Sequence, residues 1–397
     1  MAFVIVGAGL AGAKAAQTLR EEGFDGDVTL IGTEPERPYE RPPLSKGVLL
    51  GDAERDSVYV HPADWYAAHD IDLRAGTTVT GIDRARRRVH LEDGESLVYD
   101  RLLLATGSAP RHLPVPGADL DGVLYLRTLA DIDRVAAAAV DGARLVIVGA
   151  GWIGLEVAAA ARHRGAAVTV VEAADLPLQQ VLGTQIAGVF ADLHREHDVR
   201  FHFGVQVERL NGTGHVTSVR LTDGTDLPAD AVLVAVGARP LTDLAEAAGL
   251  SVDNGVTVDA SLRTSDPHVY AAGDVANLLH PLLGERIRVE HWSNALHSGP
   301  AAARAMLGQD VRYDRLPYFF TDQYDLGMEY RGWAPRGTYD QVVIRGDGDK
   351  REFLAFWLRD SRVLAAMNVN IWDANDHLDA LVRAGLSGTP ANPNLLP

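Results

Sequence analysis

The chain of 397 residues contains no cysteine. That excludes a disulfide framework, a cysteine-ligated zinc or iron–sulfur site and a redox-active dithiol within the chain. Basic charge is scarce as well: 37 Lys and Arg stand against 54 Asp and Glu, a formal net charge of −17. Such a field does not displace counterions from a phosphate backbone, so no nucleic-acid partner is expected. Long apolar runs are missing too. The alanine-rich stretch 135–140 stops at Asp141 and Gly142, far short of the roughly 20 residues of a membrane span, and no membrane association is expected. Residues 1–12 lack a basic leader and run straight into a glycine pattern, which is not the layout of a secretory signal. A cytoplasmic protein is the expectation. What remains is an ordinary globular composition, 47% hydrophobic and 23% charged, long enough for two or three domains at about 100–200 residues each.

Glycine is abundant, with 39 residues, and its placement is informative. Phe3–Val6 leads into Gly7-Ala8-Gly9-Leu10-Ala11-Gly12, and Leu145–Val148 leads into Gly149-Ala150-Gly151-Trp152-Ile153-Gly154. Each is a short β-branched run, a G-x-G-x-x-G turn and an alanine-rich stretch that reads as a helix, over 13–20 and 155–164. A second apolar strand follows each time, 28–31 before Glu34 and 168–171 before Glu172. These acids lie 22 residues beyond Gly12 and 18 beyond Gly154, near the ~20 of a dinucleotide-binding βαβ unit. A lone G-x-G-x-x-G carries little weight, but here strand, glycines, helix, strand and acid come in order, twice. The chemistry asks for these residue types. Glycines let the backbone approach a pyrophosphate, the helix N-terminus attracts it, and the acid accepts from ribose hydroxyls.

Other segments fit around the two units. Residues 102–107 and 231–237 read as buried strands ending in small residues, and 83–98 and 201–227 as meanders turning at Asp93-Gly94 and Asp223-Gly224. The stretches 109–116 and 238–240 suit domain crossings. Beyond about Tyr313, aromatic residues fall in short β-like runs, which suggests a small α+β domain, and the last dozen residues read as an extended tail.

Two dinucleotide units suggest two nucleotides in series, FAD held permanently and a nicotinamide that comes and goes. The succession of Gly7–Gly12, Glu34, Tyr39–Lys46 (Y-E-R-P-P-L-S-K), Leu102–Gly107, Gly149–Glu156, Val234–Pro240 and Tyr270–Ala276 resembles the two-dinucleotide flavoproteins related to the disulfide reductases. Within them it is similar to the oxygenase-coupled ferredoxin reductases, the group of the putidaredoxin, rubredoxin and biphenyl-dioxygenase reductases. The match runs from Phe3 to about Trp333 and is looser beyond it.

This resemblance implies an α/β chain of two Rossmann-like dinucleotide-binding domains plus a small α+β C-terminal domain. FAD would lie on 1–109 and 241–313, NADH on 110–240, and 314–397 would form a C-terminal reductase domain walling the flavin cleft. Gly7, Gly9, Leu10, Ala11, Gly12 and Glu34 would hold FAD, with Arg41 near the pyrophosphate or ribityl chain. Ala105, Thr106 and Gly107 would close over it, Gly273 and Asp274 would bond the ribityl chain, and Val79 and Arg127 match positions that touch it. Glu290, His291 and Trp292 would lie against the ring. For NADH the implied residues are Gly149, Gly151, Ile153, Gly154, Glu156, Glu172 and Gly237. Lys46, one of three lysines, would place its ammonium at the flavin N5/O4 edge, stabilising the charge that grows as hydride arrives, and Glu156 would pair with it. Read on residues alone, Lys46 also suits a solvated lysine at a helix start, Asp274 a helix cap, Trp292 a core aromatic, and Glu156 an acid drawn by a helix dipole. His291 and His297 receive no proton-relay role.

Relatives that reduce disulfides carry cysteines in the first domain, and peroxide or oxidase relatives carry one near Ser45. This chain has none, so electrons are expected to leave the flavin for an outside acceptor, a [2Fe–2S] ferredoxin serving a monooxygenase or dioxygenase. Glu172, with no basic residue over 173–180, favours NADH over NADPH. A monomer or weak homodimer is expected, and no metal site. Alternatives are an NADH:quinone or rubredoxin reductase, or a redox-sensing protein similar to apoptosis-inducing factor. Segment 373–383 is too acidic and short for the membrane-facing element that quinone reductases use. Since ferredoxins are acidic too, docking calls for a local basic patch, with Arg304, Arg312, Arg331 and Arg336 as candidates or as plain solvated surface.

Overall fold

The structure is a computed structural model and describes residues 1–393. It separates into two compact units, one of residues 1–40, 56–109 and 239–318, the other of 41–55, 110–238 and the chain from Phe319 onward.

The first unit is built on β1 (Ala2–Val6), α1 (Leu10–Glu21) and β2 (Asp27–Gly32). β1 lies between β2 and strand Arg101–Leu104, in parallel register with both. The sheet order is Val269–Ala271, Arg101–Leu104, β1, β2, Ile71–Ala75. With neighbours on both sides and covered faces, Phe3, Val4 and Ile5 are no more than 2% exposed, which is why β1 reads as an unbroken apolar run. α1 starts three residues ahead of the span expected from the alanine run. Gly9 is its N-cap, in extended conformation, and packing draws Leu10–Gly12 into the first turn despite glycine's low propensity.

The second unit repeats the plan with β3 (Arg144–Val148), α2 (Trp152–His163) and β4 (Ala167–Glu172). Its parallel sheet runs Arg200–Phe203, β4, β3, Ala231–Val234, Val123–Leu124. α3 (Gln179–Glu196) follows, broken at Gly183, where φ is 76° and ψ 171°. An antiparallel five-stranded sheet completes the unit, in the order Tyr318–Gln323, Leu326–Gly332, Arg362–Val369, Glu352–Arg359, Gln341–Asp347. Helix Asn375–Leu386 packs on strand Arg362–Val369. The class is thus α/β with two Rossmann-like halves and a small α+β portion, as expected. Residues 387–392 form neither helix nor strand, and the end of the expected tail, 394–397, lies outside the described residues. No helix among the described residues is long and apolar enough to cross a membrane.

Both glycine turns obey one steric rule. Gly7 has φ of 117°, and a Cβ there would stand 2.0 Å from the Ala105 carbonyl oxygen; a Cβ on Gly12 would stand 2.0 Å from the Gly7 oxygen. Gly149, with φ of 101°, and Gly154 repeat this at 2.4 Å from Ala235 O and 2.2 Å from Gly149 O. Gly7→Ala therefore combines a backbone outlier with a clash against main chain. It is expected to destabilise by about 2–3 kcal/mol or more, read as a lowered urea midpoint at unchanged slope.

Candidate functional site

In each cradle the middle glycine behaves differently from its flanking partners. A Cβ built on Gly9 or on Gly151 meets nothing within 4 Å. Both residues are extended with negative φ, −89° and −80°, so neither packing nor backbone geometry demands glycine there. The space in front of them is open, and they cap α1 and α2 with no side-chain hydrogen bond. The first-turn N–H groups of both helices thus face an approach free of protein side chains, the arrangement that receives a phosphate.

The first cradle is closed by the first unit's own residues. Gly7 abuts Ala105, and a Cβ on Gly273 would lie 3.1 Å from that of Ala11. Gly299, not anticipated from the sequence, allows helix Trp292–Met306 to meet α1: a Cβ there would be 2.2 Å from Ala11 O. Glu34, past β2, accepts from the Tyr39 hydroxyl. Thr106 Oγ1 donates to Leu241 O at 2.8 Å. Asp274, in a short 3₁₀ turn, accepts from Ser108 Oγ at 2.8 Å, and Gly273 N donates to Ser298 Oγ at 2.9 Å. Glu290 is paired with Arg288, and His291 caps helix Trp292–Met306, its Nδ1 accepting from Ser293 N at 3.2 Å. Trp292 is anchored through Nε1 to Glu40 Oε2 at 3.0 Å. Val79 is 7% exposed within the first unit's core. Ser108, Ser298 and Gly299 are short residues with no motif of their own, which is why sequence reasoning passed them over.

In the second cradle, Glu172 accepts from Ala150 N at 2.7 Å and from Ala174 N at 2.9 Å. One carboxylate therefore ties the glycine turn to the end of β4. Ile153, in the first turn of α2, is 42% exposed, whereas the equivalent Ala11 is 6% exposed. Gly237, with φ of 95°, has Arg111 as its nearest neighbour, 3.9 Å from a built Cβ.

A third cluster lies in the second unit. Pro42–Ser45 forms a 3₁₀ turn that ends at Lys46, and proline pairs pre-set such a path. Lys46 Nζ is 2.5 Å from Glu156 Oε1, with side-chain exposures of 17% and 5%. Two hydroxyls converge on the same carboxylate: Ser45 Oγ donates to Oε2 at 2.5 Å and Thr321 Oγ1 to Oε1 at 2.7 Å. The Phe320 ring centre lies 5.2 Å from the ammonium, a favourable cation–π distance. Burial pushes the neighbouring Asp322 carboxyl up, and Lys46 opposes the shift. Thr321 is supported in turn by Gln323 Nε2 at 3.1 Å, and Gln323 Oε1 meets His194 Nε2 at 2.8 Å. Burial pushes the His194 imidazole down to about 4. Ser45 and Thr321 were not anticipated at this carboxylate, although both lie in segments that carry the family resemblance. Arg41 and Arg127 are brought together as well, the Arg41 guanidinium donating to the Arg127 carbonyl.

Of the arginines considered for a docking patch, Arg331 is not a surface charge. It is 8% exposed and its guanidinium donates to Asn375 at 2.6 and 2.8 Å. Arg304 is paired with Glu22 at 2.7 Å.

Residues 1–299 match the pyridine nucleotide-disulphide oxidoreductase family, and residues 318–392 match the reductase C-terminal family. The chain is 40% identical to rhodocoxin reductase of Rhodococcus erythropolis, over 96% of this chain and 88% of that protein. It is 41% identical to the ferredoxin–NAD(+) reductase component of the anthranilate 1,2-dioxygenase system of Burkholderia cepacia, over 98% and 95%. Among solved structures, the covalent putidaredoxin reductase–putidaredoxin complex superposes with a TM-score of 0.93 at 38% identity, covering 99% of this chain and 94% of that one. The chain belongs to the pyridine nucleotide-disulphide oxidoreductase family and carries the reductase C-terminal domain.

Proposed function

We propose that this protein is an NADH-dependent flavoprotein reductase that passes electrons through FAD to a [2Fe–2S] ferredoxin serving a monooxygenase or dioxygenase. The observation that carries the reading is the pair of cradles whose middle glycines, Gly9 and Gly151, nothing in the protein requires. A ligand that comes close to the backbone at those two points explains both. The relatives' names add the acceptor class: the reductase components of rhodocoxin and anthranilate-dioxygenase systems are similar along almost the whole chain.

A bound FAD would supply the hydride acceptance from NADH and the one-electron transfers onward, chemistry that no side chain of this protein supplies. The protein contributes position and charge. On this reading 1–109 and 241–313 hold FAD, 110–240 bind NADH and 314–397 form the C-terminal reductase domain. Gly7–Gly12 and the α1 N-terminus take the FAD pyrophosphate, Glu34 its adenosine ribose and Asp274 its ribityl hydroxyls. Arg41, Val79, Ala105–Gly107, Arg127, Gly273 and Glu290–Trp292 complete that site. Gly149–Gly154, Glu172 and Gly237 receive NADH. Lys46, held by Glu156 at 2.5 Å, is the cation assigned to the flavin N5/O4 edge, where charge develops on reduction. The protein acts in the cytoplasm, as a monomer or weak homodimer.

The purified protein is expected to show a yellow flavin spectrum that NADH bleaches under anaerobic conditions, and to reduce cytochrome c only when a [2Fe–2S] ferredoxin is added. A colourless protein, or one that NADH leaves oxidised, would sink the proposal. Two glycine variants separate the sites. Gly9→Ala is expected to weaken FAD retention and Gly151→Ala to raise the KM for NADH, each by about tenfold or more while changing folding stability by no more than about 1 kcal/mol. Equal flavin content and KM in both variants and the wild type would show that nothing approaches these glycines. Glu172→Arg is expected to move the ratio of kcat/KM for NADPH over NADH upward by about tenfold, or 1.4 kcal/mol, as a repelled 2′-phosphate becomes an attracted one. An unchanged ratio would mean that the ribose site lies elsewhere.

A further inference from the structure

We propose that Thr321, on the antiparallel sheet, is the positioning residue of the Lys46–Glu156 pair. Its link to electron transfer rests on the reading that Lys46 serves the flavin. The hydrogen-bond directions leave the Thr321 hydroxyl no other use. Thr321 Oγ1 is fully buried and accepts from Gln323 Nε2 at 3.1 Å, so its own hydrogen points to the acceptor within reach, Glu156 Oε1 at 2.7 Å.

In this orientation Gln323 turns its Oε1 to His194 Nε2, 2.8 Å away. That oxygen can only accept, so the arrangement pairs with the tautomer of the buried imidazole that carries hydrogen on Nε2. The opposite amide orientation would turn an oxygen toward Thr321, pulling the hydroxyl hydrogen away from the carboxylate. Three consecutive bonds thus point one way, from His194 on α3 through Gln323 and Thr321 to Glu156. A carboxamide does not relay protons, so this line is a scaffold. It spans α3, strand Tyr318–Gln323 and α2 and ends on the carboxylate that holds the lysine. Glu156 is 5% exposed, so no solvent is at hand to replace a lost donor. Without the hydroxyl, Oε1 keeps only the ammonium, and the pair loses the contact that aims it.

The small number of lysines makes a direct test practical. With lysines at positions 14, 46 and 350, protein labelled with ¹⁵N at lysine Nζ has three ammonium groups to observe, and Lys46→Arg assigns the Lys46 resonance by its loss. The Lys46 ammonium is expected to exchange its protons slowly in the wild type, about tenfold or more faster in Thr321→Val, and within about twofold of wild type in Thr321→Ser, which keeps the hydroxyl. Thr321→Ala gives the same comparison should the valine variant not fold. In flavin-loaded protein the valine variant is expected to show a limiting rate of anaerobic reduction by NADH about five- to tenfold lower, a lower flavin midpoint potential and an NADH dissociation constant within about twofold. A residue that merely fills space would lower Tm and leave exchange and potential alone. Wild-type exchange in Thr321→Val, or a serine variant no better than valine, overturns the proposal. A wild-type protein that NADH does not reduce fails the functional reading instead, and the lysine resonances still decide the role of Thr321.

Discussion

The buried carboxylate of Glu156 is the constraint around which the second unit is organised. Removing a carboxylate from water costs several kcal/mol unless paired charge and hydrogen bonds restore what the solvent supplied. Here compensation comes from every side. Glu156 lies in the second turn of α2, near the positive end of the helix dipole. Lys46 and Ser45 reach it from the turn 42–46, and Thr321 from the antiparallel sheet. Segments far apart in the chain are tied to one side chain, and each has few alternatives. Together with bonds such as Arg164 to the Leu49 carbonyl and Arg55 to Asp133, these ties go with the placement of 41–55 in the second unit, although stretches of the first flank it in sequence.

The two cradles share a backbone and differ in their flanks, and the proposed function gives that difference a meaning. In the first, Ala11, the counterpart of Ile153, is buried, Glu34 is engaged by Tyr39, and Gly299 lets a second helix press on α1. That is a site with its walls in place. In the second, Ile153 leaves an apolar side chain 42% exposed beside the glycine turn, and Glu172 is bonded to the turn's own main chain. An exposed isoleucine at a helix start gains from intermittent cover by a flat ring, and a pre-bonded carboxylate keeps the turn in shape between visits. On the proposed reading, a resident FAD takes the first set of flanks and an exchanging NADH the second.

Much of the architecture was legible because local pattern and tertiary structure agree. The doubled strand–glycine–helix–strand–acid order specified both parallel sheets, and the positions of Gly7, Gly12, Gly149 and Gly154 carry steric demands that only glycine meets. Helix starts were less legible. The alanine runs place them at 13 and 155, whereas packing draws them back to Leu10 and Trp152. The supports of the site were hidden for a different reason. Thr321, Ser108 and Ser298 each bond a residue more than 20 positions away, and no periodicity announces such a bond. Arg331 shows the converse, since its charge suggested a surface while its guanidinium is spent on Asn375.

The absence of cysteine gains a structural counterpart at Ser45. Relatives that use a thiol near this position need it accessible, with its sulfur free to react. Ser45 is 6% exposed, and its hydroxyl is committed to Glu156 at 2.5 Å. The side chain works as a clamp on the carboxylate that holds Lys46. A cysteine placed there would exchange a strong hydroxyl donor for a weak thiol one and would loosen the pair. Reactivity at 45 and rigidity at 156 are therefore competing uses of one position. This chain takes the second: the Ser45 hydroxyl is spent on Glu156, and Glu156 in turn holds Lys46 in a fixed place.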